Sequence, residues 1–164
     1  GTTLKDYGHM LKEDPAWAGP ARRVSELSKD VSEIIMEIGS DNISSMLVDI
    51  IQKPSVAYHS ACSMQHGQKL TTQPIELLKS AGFEVREPSE PHLCCGSAGT
   101  YNIMQPEIAE QLGKRKMKNI SATAADVIAT GNIGCMIQLA GHGDMPIAHT
   151  VQLLDWATGG PKPL

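Results

Sequence analysis

The chain has 164 residues with 41% hydrophobic content, enough for one ordinary domain with a continuous core. A net charge of -4 and a pI near 5.8 leave no basic footprint and exclude nucleic acid as a partner on electrostatic grounds. Aromatics supply only 4% of residues, so the core must come from aliphatic side chains and Met, a composition that suits an α/β layered fold.

The opening Gly1-Thr2-Thr3-Leu4 has neither an initiator Met nor a signal-like apolar stretch, and it reads as an internal segment of a longer protein. The first forty residues read as helical, with Asp14-Pro15 as a start and Ala21 to Ile38 as the main run. Val24, Leu27, Val31, Ile34, Ile35 and Ile38 recur at spacings of three and four, which predicts one packed helical face ending at Gly39. After Asp41-Asn42, a short helix or turn (Ser44 to Ile51) precedes a strand over Lys53 to His59. A helix over Gln68 to Ala81, ended by Gly82, leads to a second strand at Phe83 to Arg86. A helix from Pro106 to Ile120, a strand over Asp126 to Thr130 and a helix starting at Cys135 follow. Pro146 to Thr150 reads as a fourth strand, Val151 to Ala157 as the last helix, and residues 159–164 as a loose tail. Strands alternating with helices predict a three-layer α/β fold with a largely parallel sheet flanked by helices. No apolar run approaches the ~20 residues of a membrane-spanning helix.

The four cysteines, Cys62, Cys94, Cys95 and Cys135, each fall in a loop after a predicted strand, where parallel sheets gather their ligand sites. Thiolates converging from three loops suit zinc or an iron–sulfur cluster, since both prefer sulfur ligands. The vicinal pair favours a cluster: neighbouring side chains of an extended segment point apart, and several irons accept sulfurs that one small ion does not. Gly96 and the small residues after it allow backbone N–H groups to approach cluster sulfur. Cys135 sits at a predicted helix start, where the helix dipole favours thiolate. His59 and His66 flank Cys62 as further candidate ligands, with a hydrogen-bonded loop histidine as the plainer role for each. His92 is at most a supporting neighbour of the ligands, and His142 and His149 read as surface or capping residues. Buried, unliganded thiols are the alternative reading of the cysteines. No nucleophile–base pair or acid–base carboxylate pair is evident, so no catalytic residue is assigned.

Three segments, Tyr58-His59-Ser60-Ala61-Cys62, Cys94-Cys95-Gly96-Ser97-Ala98-Gly99-Thr100-Tyr101 and Gly131-Asn132-Ile133-Gly134-Cys135, together resemble the cysteine-rich CCG domain. That domain occurs, usually twice, in the heterodisulfide reductase B subunit and in the iron–sulfur subunits of glycolate and lactate dehydrogenases. The stretches Thr100 to Glu107 and Ala129 to Cys135 closely resemble the C-terminal repeat of the glycolate oxidase iron–sulfur group. The pattern departs at its end, where the family's C-x-x-C is replaced by Cys135-Met136-Ile137-Gln138.

The resemblance implies a helical link over residues 1–40 from an upstream repeat and a CCG domain over residues 41–158. It implies an iron–sulfur centre in the parent protein held by Cys62, Cys94, Cys95 and Cys135 beside Gly96, with zinc or no metal as the alternatives for these residues alone. It further implies FAD-containing glycolate dehydrogenase subunits, an upstream ferredoxin-like domain and a first CCG domain as partners. Electrons from 2-hydroxy acid oxidation would pass toward quinone, in a cytoplasmic complex peripheral to the inner membrane. A structural or zinc-binding interaction module and a thiol–disulfide reductase are the competing readings.

Overall fold

The structure is a computed structural model and describes residues 1–39 and 45–163. Thr2–Met10 (α1), Ala18–Leu27 (α2) and Val31–Ile38 (α3) form a helical lead-in. Then come Val56–Tyr58 (β1), a π-helical turn Ser63–Gln68, Gln73–Ser80 (α4) and Val85–Arg86 (β2). Tyr101–Met104 (α5), Pro106–Ser121 (α6), Val127–Thr130 (β3), Ile133–Ala140 (α7), Ile147–His149 (β4) and Thr150–Ala157 (α8) complete the order. The expected helix or turn at 44–51 and the expected division between residues 40 and 41 fall partly on residues outside those described.

All strand pairs are parallel, in the order β2-β1-β3-β4, so every strand ends on the same edge of the sheet. Val56 lies opposite Val85 on one side and Val127 on the other, and Ala129 opposite Ala148. From β1 the chain leaves toward β2, and from β3 it leaves toward β4, in opposite directions. Adjacent strands whose following loops diverge open a crevice beyond their carboxyl ends, and this is where the site forms.

Side-chain alternation along β1 and β3 builds two cores. Val56, Tyr58, Val127 and Ala129 face one layer, where they pack with Leu77 and Leu78 of α4 and Leu153 of α8. Ala57 and Ile128 face the other, with Met117 and Ile120 of α6 and Leu139 of α7. Cys95 and Cys135 are members of this second core, and the first contains no cysteine.

The expected helix over Ala21 to Ile38 is two helices. Asp30 interrupts the run, because its carboxylate accepts from the Ser32 N–H at 2.9 Å while Glu33 accepts from the Asp30 N–H at 2.7 Å. This capping box starts a new helix and turns it away from α2. Of the expected packed face, Ile35 packs on the core, beside Met36, whereas Val24, Leu27, Val31, Ile34 and Ile38 are exposed. Gly39 ends α3 with φ 106, a backbone state that disfavours any side chain. The helical lead-in is tied to the site's side of the molecule where the Thr2 hydroxyl donates to the Ser63 carbonyl at 3.1 Å. Among the described residues no helix is long and apolar enough to cross a membrane.

Candidate metal centre

Each cysteine lies just beyond a strand end. Cys62 immediately precedes the π-helical turn after β1, Cys94 and Cys95 lie within the loop that runs from β2 to α5, and Cys135 occupies the first turn of α7. Asn132 caps that helix by accepting from the Cys135 N–H at 3.1 Å, which fixes the backbone that carries the thiol. All four cysteines line one cavity of about 250 Å³, whose wall also includes the small residues Ser97, Ala98 and Gly134. Cys95 and Cys135 are buried at its base, whereas Cys62 and Cys94 are half-exposed.

The thiols interact in series, Cys62 with Cys94, Cys94 with Cys95 and Cys95 with Cys135, which in turn interacts with His59. Hydrogen bonds from Cys62 and Cys95 hold the Cys94 thiol well below the usual range, helped by the backbone N–H groups of Gly96 and Ala98. The Gly96 N–H donates to Cys94 Sγ at 3.3 Å. Cys62 is pushed up, by its hydrogen bond to Cys94 and then by burial. Cys95 is likewise pushed up by hydrogen bonds to Cys135 and Cys94. Cys135 is lowered to about 5, by the hydrogen bond from Cys95 first and by His59 as well, against opposing burial. Thiolate and thiol therefore alternate along the series, so donor anions are present near neutral pH.

His59 is 1% exposed and continues the β1–β3 ladder by one bond, its N–H donating to the Ala129 carbonyl at 2.8 Å. The alternation that sends Tyr58 into the first core directs His59 to the side of Ala57, the cysteine side. One donor atom each from His59, Cys95 and Cys135 lies within 4.8 Å of the others. Although His59 biases the Cys135 thiol, neither ring nitrogen makes a hydrogen bond of normal geometry. His66 points elsewhere: it is exposed on the π-helical turn and outside this group, and His92 is also exposed. His149 caps α8, its Nδ1 accepting from the Val151 N–H at 3.2 Å.

The loop carrying the vicinal pair is pinned from α6. Lys116, 1% exposed, donates from Nζ to the Glu90 carbonyl at 2.7 Å, and Arg115 and Asn119 hold the Glu90 carboxylate. Gly96 follows the pair with φ 96, and a Cβ there would stand 2.5 Å from the Ala109 carbonyl oxygen. Only glycine allows α6 to approach this closely. Lys116 is not singled out by its sequence context, because the helix that carries it is rich in charged and polar residues. The signal was present, since Lys116 falls on the stripe Ala109, Gly113, Met117 and Ile120 that α6 buries.

The donor set fits a thiophilic metal or an iron–sulfur group. Cys62, Cys94, Cys95 and Cys135 would supply sulfur, and the orphaned buried nitrogens of His59 sit beside two of them.

Residues 56–140 match the family model described as the CCG cysteine-rich domain. The glycolate oxidase iron-sulfur subunit of Escherichia coli (strain K12) is 36% identical over 157 residues, covering 96% of this chain and 37% of the relative. The "Probable glycolate oxidase iron-sulfur subunit" of Bacillus subtilis (strain 168) is 34% identical over 140 residues, covering 85% and 31%. Lactate utilization protein A of Oceanobacillus iheyensis is 29% identical over 159 residues, covering 93% and 63%. The chain thus spans about a third of the length of the two glycolate oxidase relatives. The chain belongs to the CCG cysteine-rich domain family.

Proposed function

We propose that this chain is an electron-transfer domain, the C-terminal cysteine-rich part of an iron–sulfur subunit in a flavin-dependent 2-hydroxy acid dehydrogenase of the glycolate type. Residues 1–40 would link from an upstream repeat, and residues 41–158 would form the cysteine-rich domain. The observation that carries the reading is the convergence of Cys62, Cys94, Cys95 and Cys135 on one cavity at the strand ends. The names of the relatives, iron–sulfur subunits of glycolate oxidase among them, support the same assignment.

When bound, an iron–sulfur cluster supplies one-electron transfer, with a potential set by net charge, hydrogen bonds to sulfur and exposure. The residues of this chain would provide those settings. Cys94 and Cys135 enter as thiolates, and the Gly96 N–H donates to Cys94 sulfur. Cys95 and Cys135 lie deep, while Cys62 and Cys94 are half-exposed, so the four sulfurs would hold the group from two depths of the cavity. Lys116, which interacts electrostatically with Cys62, Cys94 and Cys95, would offset part of the negative charge.

Partners would be FAD-containing glycolate dehydrogenase subunits and the upstream ferredoxin-like and first CCG domains, with quinone as the final acceptor. An apolar rim beside the cavity supports docking there: Ile103, Met104, Ile133 and Ile137 are 74%, 71%, 66% and 68% exposed. Ile133 lies between Asn132 and Gly134, both in the cavity wall. Such a complex would be cytoplasmic and peripheral to the membrane.

Replacing Cys94 and Cys95 by Ser in the full-length subunit tests the reading. Ser preserves size but is a poor ligand for iron, so flavin reduction by substrate should persist in a single turnover while quinone-linked turnover falls. Wild-type quinone turnover in a normally assembled complex refutes the relay.

A second reading, a zinc-binding module, is favoured by the compact His59, Cys95 and Cys135 group alone. Iron, sulfide and zinc counts on anaerobically purified protein separate the two.

A further inference from the structure

The geometry points to His59 as a metal ligand that takes the place of the family's closing cysteine, giving the centre a mixed nitrogen and sulfur donor set. The inference deepens the metal-centre reading above and rests on it. The residue that stands where the C-x-x-C pattern ends is Gln138, and its side chain is committed elsewhere. Its Nε2 donates to the Ala109 carbonyl at 3.3 Å and lies 3.4 Å from His142 Nε2, while its Oε1 accepts from Asn102 Nδ2 at 3.2 Å. Gln138 braces α7 against α5 and α6 and offers the cavity nothing.

His59 has the opposite character. It is fully buried, both ring nitrogens are orphaned, and one of them sits within 4.8 Å of Cys95 and Cys135 sulfur. Leaving a buried polar atom without a partner costs about 1–3 kcal/mol, a cost that metal ligation would remove for one of the two ring nitrogens. With metal–ligand bonds of about 2.0–2.3 Å, donors on one tetrahedral ion stand roughly 3.5–3.8 Å apart. A movement of about 1 Å by each of two side chains therefore closes the set, using the same bond lengths. His66, the other histidine beside Cys62, lies outside this reach.

A neutral imidazole in place of an anionic thiolate also sets the potential. Less negative charge at the metal favours the reduced state, the direction in which histidine ligation shifts two-iron centres. His59 would thus raise the potential of this centre above that of an all-thiolate one.

The test titrates the reduced 164-residue chain anaerobically with cobalt(II), alone and after substitution. Wild type should bind one ion, with thiolate-to-cobalt charge-transfer absorption and a paramagnetically shifted imidazole proton resonance. His59→Ala should lose that resonance and weaken binding by about tenfold or more. His59→Cys should restore affinity with stronger charge transfer, so loss of fold in the alanine variant does not obscure the result. His66→Ala should match wild type. Wild-type affinity in His59→Ala, charge-transfer bands without an imidazole resonance, or no cobalt binding at all each overturn the proposal.

Iron and sulfide uptake, measured on the same proteins, is read separately. Cobalt ligation by His59 without cluster uptake keeps the ligand and rejects the iron–sulfur reading. Cluster uptake with unchanged potential in both His59 variants keeps the cluster and rejects the ligand.

Discussion

Lys116 of α6 donates to the main-chain carbonyl of Glu90 at 2.7 Å, so a buried ammonium sets the path of the loop that delivers Cys94 and Cys95. Burial lowers the Lys116 pKa below its ordinary 10.5, although the nearby thiolates pull the other way. Replacement with Met removes a charge-assisted hydrogen bond from the Glu90 carbonyl, which keeps the Leu93 N–H at 3.0 Å, and should cost about 1.5–3 kcal/mol, measured by urea denaturation. The unfolded chain holds this proton more tightly than the folded one, so the lysine's contribution is least favourable at low pH and improves as pH rises toward 10.5. The stability gap between wild type and Lys116→Met should widen over that alkaline approach. A gap constant with pH would show that Lys116 titrates normally.

Gly96→Ala should be more damaging than Gly99→Ala. Both glycines have positive φ, 96 and 57, but a Cβ at Gly96 meets the Ala109 backbone whereas one at Gly99 meets nothing within 4 Å. The left-handed backbone alone costs roughly 1–2 kcal/mol, and only Gly96→Ala adds a collision that displaces the cysteine pair. Denaturation midpoints and metal uptake should both fall further for Gly96→Ala; equal losses in the two variants would contradict the close approach to α6.

Thiol reactivity should report the alternation along the cysteine series. In reduced, metal-free protein, Cys94 is both ionised and half-exposed, so it should alkylate first, at a rate that changes little between about pH 6 and pH 8. Cys62 is equally exposed but held neutral, and it should react only under alkaline conditions. Peptide mapping by mass spectrometry distinguishes them. Equal labelling of Cys62 and Cys94 at the lower pH would contradict the assigned order.

The apolar rim should matter to assembly and not to folding. Ile133 and Ile137 are exposed on α7, so Glu substitutions there should change stability by less than about 0.5 kcal/mol. Co-purification of the full-length subunit with its flavin-containing partners should nonetheless decline. Unchanged assembly would place the docking surface elsewhere.

The architecture was legible because the central strands are short apolar segments between turn signals, and β1 and β3 fall within their expected ranges. The break between α2 and α3 was not read, although Asp30-Val31-Ser32-Glu33 carries a capping box, because the apolar spacing runs across it unbroken. The strand-end position of all four cysteines could be read from sequence, since it follows from topology alone. Which histidine joins them could not: His59 and His66 both flank Cys62, and only the ladder bond to Ala129, which holds His59 inward, separates them. Lys116 was hidden by the polar composition of its helix, where burial of one charged side chain depends on what the neighbouring loop presents.

The sheet divides the molecule into a sulfur-bearing half and a sulfur-poor one, because both buried cysteines belong to the core under α6 and α7 and none to the core under α4 and α8. Oxidative chemistry at the thiols is thereby confined to one layer. Damage at the centre would therefore act first on the packing of α6 and α7, which shares Cys95 and Cys135, and not on the core of Val56, Leu77 and Leu153, which contains no cysteine.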